Sequence, residues 1–181
     1  MKELSLNILD IAKNSTRAGA SLIEILLVTD ENGFLTLTIR DNGCGMDEET
    51  LKRVSDPFYT TRTTRKVGMG LPLLRMACES TGGTLAITSS VKEEDHGTTL
   101  VATFDSTHID FAPIGDVVSS IVILIAGDPD RDFVFLDKTP EREVALDTRE
   151  LRAVLGDVSL GEFEVLEWIK AYLNSQYQTE S

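Results

Sequence analysis

Cysteine and histidine are almost missing from this chain, which holds two of each in 181 residues. Cys44 and Cys78 stand alone, without the spacing of a zinc site, a redox motif or a disulfide framework. Both read as reduced thiols, as expected of a cytoplasmic protein. His96 falls in a charged loop and His108 just after a strand; with no cluster around either, both read as surface residues. Long apolar runs are missing too. The longest, Ile121 to Ala126, is far too short to span a membrane. The first residues, Met1-Lys2-Glu3-Leu4-Ser5-Leu6, enter an amphipathic pattern and not a signal core. A membrane is not an expected partner.

Basic charge is scarce as well. Seventeen Lys and Arg face thirty Asp and Glu, a net charge of −13. Residues 1–105 carry 11 basic and 15 acidic side chains, net −4, and residues 106–181 carry 6 and 15, net −9. An acidic surface repels phosphodiester backbones, so nucleic acid is not an expected partner. The apolar content of 41% suffices for a core, and the length allows one domain with a substantial appendage. The shift in composition after Phe104 divides the chain into 1–105 and an acidic extension, 106–181.

What the chain does contain is organised around Asp41-Asn42-Gly43-Cys44-Gly45-Met46. An alternating strand (Leu35, Leu37, Ile39) delivers Asp41 to its end, and the two glycines let the backbone turn and approach a ligand. Asp-Asn-Gly also marks ordinary turns. Before it, residues 3–18 read as a helix. Leu4, Ile8, Ile11, Ala12 and Ser15 form one face, and Asn7, Asp10, Asn14 and Arg17 form a polar stripe. That stripe is either a solvated face or a set of groups able to meet a metal-bound polyphosphate. Leu22 to Val28 reads as a buried strand, and Asn32-Gly33 as its hairpin turn. Asp47 to about Val54 reads as a short helix with acids in its first turn.

Thr60 to Lys66 is polar and basic, short of apolar anchors, and reads as a mobile loop. Gly68-Met69-Gly70-Leu71-Pro72 then leads into a helix from Pro72 to about Ser80. Glycines at a helix start leave free N–H groups that can face an anion. Leu85–Ser89 and Thr98–Phe104 read as an antiparallel pair.

In this order, the pieces resemble the ATP-binding domain shared by gyrase-type topoisomerases, ninety-kilodalton heat-shock chaperones, sensor histidine kinases and MutL repair proteins, the GHKL superfamily with its Bergerat fold. Asp10-Ile11-Ala12-Lys13-Asn14 resembles the N-box, Asp41-Asn42-Gly43-Cys44-Gly45 the first glycine box, Gly68-Met69-Gly70-Leu71 the second, and Gly97-Thr98-Thr99 the last motif. The histidine-kinase branch is the most similar, through Pro57-Phe58-Tyr59-Thr60-Thr61-Arg62, with MutL-like features around Asn14 and Asp41.

The resemblance implies an α+β two-layer sandwich: a mixed, mostly antiparallel sheet with helices on one face. It implies ATP and Mg2+ as ligands. Asn14 would bind magnesium, Asp41 would accept from the adenine amino group, and Gly43, Gly45 and Met46 would shape the base site. Arg17, Thr61, Arg62, Gly68, Met69, Gly70 and Leu71 would surround the phosphates, and Thr99 would lie near adenine. Histidine kinases often carry Asn, and hydrolysing members Glu, where this chain has Asp10. Its carboxylate is the candidate catalytic base. Neither histidine stands on a predicted helix as a phosphoacceptor would, so self-phosphorylation on histidine is not expected.

Three readings follow: a kinase-like ATPase that hydrolyses ATP or transfers its γ-phosphate to a separate protein, a nucleotide-gated binding switch, and a MutL-like repair ATPase. The expected partner is a protein substrate or regulator, with a homodimer as a further expectation.

In the extension, Val117–Ala126 reads as a strand and Phe133–Leu136 as a second. Asp147-Thr148-Arg149-Glu150 opens a helix to about Leu155, stopped by Gly156. Ser159 and Glu162 cap a last helix to about Asn174. Phe163, Leu166, Ile169 and Leu173 form its apolar face, widened by Val165, Trp168 and Tyr172.

Overall fold

The computed structural model describes residues 3–56 and 70–178. Within them, α1 (Leu4–Arg17) is followed by the hairpin β1 (Leu22–Thr29) and β2 (Phe34–Asp41), then α2 (Glu48–Ser55) and α3 (Gly70–Ser80). A second hairpin, β3 (Leu85–Ser90) and β4 (Gly97–Asp105), comes next. After it come α4 (Val117–Gly127), β5 (Asp132–Thr139), β6 (Arg142–Asp147), α5 (Thr148–Leu155) and α6 (Phe163–Gln178). The strands form one six-stranded sheet in the order β3-β4-β2-β1-β5-β6. Every pairing is antiparallel except β1 with β5. This is the expected α+β two-layer arrangement, a mixed open sheet with its helices packed over one face.

Side-chain alternation decides which face is covered, because successive residues of a strand point to opposite sides. Ile23, Ile25 and Leu27 of β1, Leu35, Leu37 and Ile39 of β2, Leu100, Ala102 and Phe104 of β4, and Phe133 and Phe135 of β5 are all buried. Against them lie Leu4, Ile8, Ile11 and Ala12 of α1, Leu74 and Cys78 of α3, and the inner faces of α4 and α6. β1 was expected to be buried throughout; Leu22, Glu24 and Leu26 are instead half-buried on the open face. Burial pushes the Cys78 thiol up to about 11, which leaves it protonated and inert at neutral pH.

The extension departs most from expectation. Val117–Gly127 is a helix, not a strand. A short apolar run does not by itself distinguish a buried strand from a buried helix. The upstream acid decides: Asp116 accepts from the Ser119 N–H at 3.0 Å and from its hydroxyl at 2.6 Å, an N-cap. The helix then packs between α1 and α6. As a crossover from β4 to β5, it allows β5 to lie parallel to β1. The extension thus continues the sheet of the first segment. β6, unexpected, pairs with β5, and Gln176 of α6 covers its outer side by hydrogen-bonding both the N–H and the carbonyl of Ala145.

α5 forms as expected, with Asp147 as its N-cap. α6 runs to Gln178, and Ser159 accepts from Gly161 N–H in a turn ahead of the helix instead of capping it. The apolar face of α6 is also rotated. Val165, Ile169 and Leu173 are buried, whereas Phe163 is 74% exposed.

Candidate functional site

Where α1 crosses the end of β2, Ser15 and Asp41 meet. The Ser15 hydroxyl donates to Oδ2 of Asp41 at 2.6 Å, and the Gly43 N–H donates to Oδ1 at 2.9 Å. Both carboxylate oxygens are therefore oriented, and each keeps a lone pair for another donor. Three backbone approaches hold the turn after Asp41. The Cys44 N–H donates to the Ala18 carbonyl at 2.9 Å. The Met46 N–H donates to the Ser89 hydroxyl at 2.8 Å. A ring nitrogen of His96 lies 2.6 Å from the Gly43 carbonyl, so this exposed side chain ties the β3–β4 loop to the turn.

Gly45 has φ +73°, and a Cβ there would fall 1.8 Å from the Ser90 carbonyl oxygen. Only glycine admits both the conformation and the approach. Asn42 turns away from the site: its side-chain oxygen accepts from the N–H groups of Ser21 and Leu22.

Asp41 faces a cavity of about 300 Å³. Ile11, Ile39, Val54, Leu71, Ile87 and Leu100 supply most of its walls, with Met46, Gly45 and Thr98 beside Asp41 and with Asn14 and Arg17 at one side. An apolar slot with one oriented carboxylate suits a flat, amino-bearing ring. Asn14 is half-buried, and its side-chain oxygen lies 3.4 Å from Nη1 of the exposed Arg17, which donates to it.

Asp10 is exposed one turn before Asn14 and is not among the cavity-lining residues. It stands against the start of α3, where a Cβ on the buried Gly70 would lie 3.5 Å from that of Asp10. Asn7, expected on the same polar stripe, is buried, and its side-chain nitrogen has no hydrogen-bond partner among the described residues.

Of the residues singled out from sequence, Asn14, Arg17, Asp41, Gly45, Met46 and Leu71 gather around this cavity, with Gly43 and Gly70 behind them. Thr61, Arg62, Gly68 and Met69 lie outside the described residues, as does the Thr60–Lys66 loop. Among the described residues α3 is already helical at Gly70, so Pro72 is not its first residue.

Thr99, expected near adenine, does not line the cavity. It points to the opposite face of the sheet, beside Glu24 and Arg40, and Thr98 lines the cavity. The strand's parity contained this signal, since Thr98 shares a face with Leu100, Ala102 and Phe104. Ser15, on the apolar face of α1, belongs to the site through Asp41. A hydroxyl on an otherwise apolar stripe, one residue after Asn14, was the available hint.

No group of three or more His, Cys, Asp or Glu side chains among the described residues could hold a metal ion, and no helix among them is long and apolar enough to cross a membrane.

Residues 1–108 match the family model described as histidine kinase-, DNA gyrase B-, and HSP90-like ATPase. Sporulation kinase E of Bacillus subtilis is 33% identical over 98 residues, 54% of this chain and 13% of that protein. The sensor protein SrrB of Staphylococcus aureus is 33% identical over 107 residues, 56% of this chain and 17% of that protein. The chain thus spans only a small part of the curated relatives it matches. Among solved structures, the MutL ATPase domain of Aquifex aeolicus complexed with ADP superposes with a TM-score of 0.53 over 99% of this chain and 70% of that one, at 14% identity. The N-terminal domain of a DNA repair protein superposes with a TM-score of 0.56 over 86% of this chain and 57% of that one, at 16% identity. At such identities the likeness is one of fold.

Proposed function

The chain belongs to the histidine kinase-, DNA gyrase B-, and HSP90-like ATPase family, and from that premise we propose that it binds ATP with magnesium and cleaves the γ-phosphate or passes it to a separate protein. The observation that carries this reading is Asp41, with both oxygens oriented by Ser15 and Gly43 at an apolar cavity. In this reading the adenine ring fills the slot and donates its amino group to Asp41. Gly45 and Met46 lie along the ring, and Thr98 takes the role that Thr99 was expected to fill. Arg17 meets the phosphates. The described start of α3, at Gly70 and Leu71, would face them. Arg62, Thr61, Gly68 and Met69 complete the phosphate site on motif grounds alone.

Asn14 fits a magnesium ligand. Its side chain offers a hard oxygen beside the cavity, and a single protein oxygen suits an ion that takes its other ligands from water and phosphate. When bound, the ion would neutralise charge on the phosphates. Asp10 would accept the proton of an attacking water or of a protein hydroxyl. Residues 1–105 form the nucleotide-binding unit in this scheme, and 106–181 an interaction segment. The partner is a protein in the same compartment, the cytoplasm, and neither nucleic acid nor membrane.

Asp10's exposure and its place outside the cavity lining favour a second reading, a switch in which ATP and ADP set partner affinity without chemistry by Asp10. One experiment separates the two. The protein and its Asp10→Asn variant are incubated with γ-labelled Mg-ATP, and label is counted in free phosphate and on protein. Release lost in the variant, with nucleotide binding retained, supports the enzyme. Intact ATP in both, with binding retained, supports the switch. Loss of ATP binding in Asp41→Asn is expected under either reading; its persistence would overturn both.

A further inference from the structure

The segment beyond the family match carries a surface that the proposed chemistry does not use. Between α5 and α6 runs a groove of about 430 Å³, lined by Leu151, Val154, Leu155, Glu164, Val165 and Trp168. Apart from Glu164 its walls are aliphatic and aromatic side chains. Val165, buried with Ile169 and Leu173 on the inner face of α6, floors the groove, and Leu151, Val154, Leu155 and Trp168 form its outer walls. Val154 is 86% exposed, and Trp168, 50% exposed, stacks on Tyr172 at 4.9 Å with the rings 9° from parallel. Large aromatic side chains held at a surface beside an open apolar groove are what binding sites place at their centres.

The charge on the helices that form the groove is mostly acidic, and Glu164 lines it. Glu150, Asp157, Glu162, Glu164 and Glu167, on these two helices and the link between them, are all exposed. None is in an ion pair among the described residues. The arginines of α5 are already engaged, Arg149 with Asp147 at 2.8 Å and Arg152 with Asp132 at 2.7 Å. Lys170 is the remaining cation of the two helices.

We propose that this groove receives a basic amphipathic helix of a partner protein. Its apolar residues would fill the space between Val154 and Trp168, and its Lys and Arg would reach the surrounding carboxylates. A second copy of this chain is disfavoured, because each copy brings a net charge of −13 and a self-complementary interface would set the same acidic rims against each other. Anionic lipid and nucleic acid are disfavoured by the same repulsion. The inference does not depend on the nucleotide reading.

Trp168 is the single tryptophan of the chain, so its fluorescence reports directly on the groove. The full chain is titrated with a synthetic Leu/Lys peptide of amphipathic helical pattern, and with the same residues in scrambled order. The expected result is a saturable blue shift with the patterned peptide, an affinity that falls as salt is raised, and little response to the scrambled one. Val154→Arg, at an exposed position that should not disturb folding, is expected to weaken binding by about tenfold or more. The double variant Glu164→Gln/Glu167→Gln is expected to weaken it and to flatten the salt dependence. No binding, equal binding of the scrambled peptide, or binding indifferent to Val154→Arg would overturn the proposal. A concentration-dependent dimer in sedimentation, abolished by Val154→Arg, would also overturn it and assign the face to a second copy.

Discussion

Ser15 on α1 donates its hydroxyl to Asp41 at the end of β2 across 2.6 Å, joining two residues 26 positions apart. The bond couples the helix that carries Asn14 to the strand that carries Asp41, alongside the bond from the Cys44 N–H to the Ala18 carbonyl.

Ser15→Ala removes that donor. Ser15 is 4% exposed, and a hydrogen bond to a charged group is worth about 1.5–3 kcal/mol. Nucleotide affinity should fall about tenfold or more. ATP and ADP should lose equally, because the contact is remote from the phosphates. Isothermal titration with both nucleotides checks this; a loss confined to ATP would place Ser15 elsewhere in the scheme.

Gly45→Ala should abolish nucleotide binding while leaving the helices folded. The added Cβ would lie 1.8 Å from the Ser90 carbonyl, at a φ of +73°. The turn must therefore move, and Met46 with it. Far-UV circular dichroism close to the parent's, together with lost ATP binding, is the expected pair of results.

Acid should unfasten the cap of α4. Hydrogen bonds from the Ser119 side chain and N–H hold the Asp116 carboxyl below its ordinary value. A group whose folded value is depressed adds stability above its unfolded value, near 3.8, and that stability disappears as the pH falls through the folded value. Asp116→Ala should therefore cost about 0.5–1 kcal/mol at neutral pH, the low end for a cap because the site is largely solvated. Parent and variant should converge in denaturant titrations as the pH drops below the ordinary Asp range. A difference that persists there would assign the cost to another cause.

Tyr177→Phe tests the anchoring of α6. The Tyr177 hydroxyl donates to Asp137 Oδ2 at 2.7 Å, and Asp137 is 2% exposed. Burial and this acid raise the phenol well above its usual range. Removing the hydroxyl should cost about 1–3 kcal/mol, because it takes a donor from a buried carboxylate. Asp137→Asn should cost more than Tyr177→Phe, because Asp137 Oδ2 also lies 3.8 Å from Nη2 of Arg142 and the amide would take that carboxylate charge away from the guanidinium. Urea midpoints of the two single variants and the double variant give the coupling.

The order of Asp10, Asn14, Asp41, Gly43, Gly45 and Gly70, and the helix-strand-strand pattern between them, was legible in the chain alone. Amphipathic periods and glycine turns are local, and each of these motifs is a few residues long. The sandwich and the residues gathered at the cavity follow from that local information. What the local signals could not decide is which neighbours each element would find. Val117–Gly127 is helical because Asp116 caps it and because α1 and α6 leave a place for a helix, whereas its apolar run suits either state. Phe163 lies outside and Val165 inside because α4 and β6 choose the face of α6. Thr98 replaces Thr99 at the cavity by strand parity, which is local, once Leu100, Ala102 and Phe104 are known to face the helices. Ser15 belongs to the site through a bond closed over 26 residues. Such partners are chosen by burial and hydrogen-bond satisfaction over the whole fold, and that choice is made only when the sheet and its helices have closed on one another.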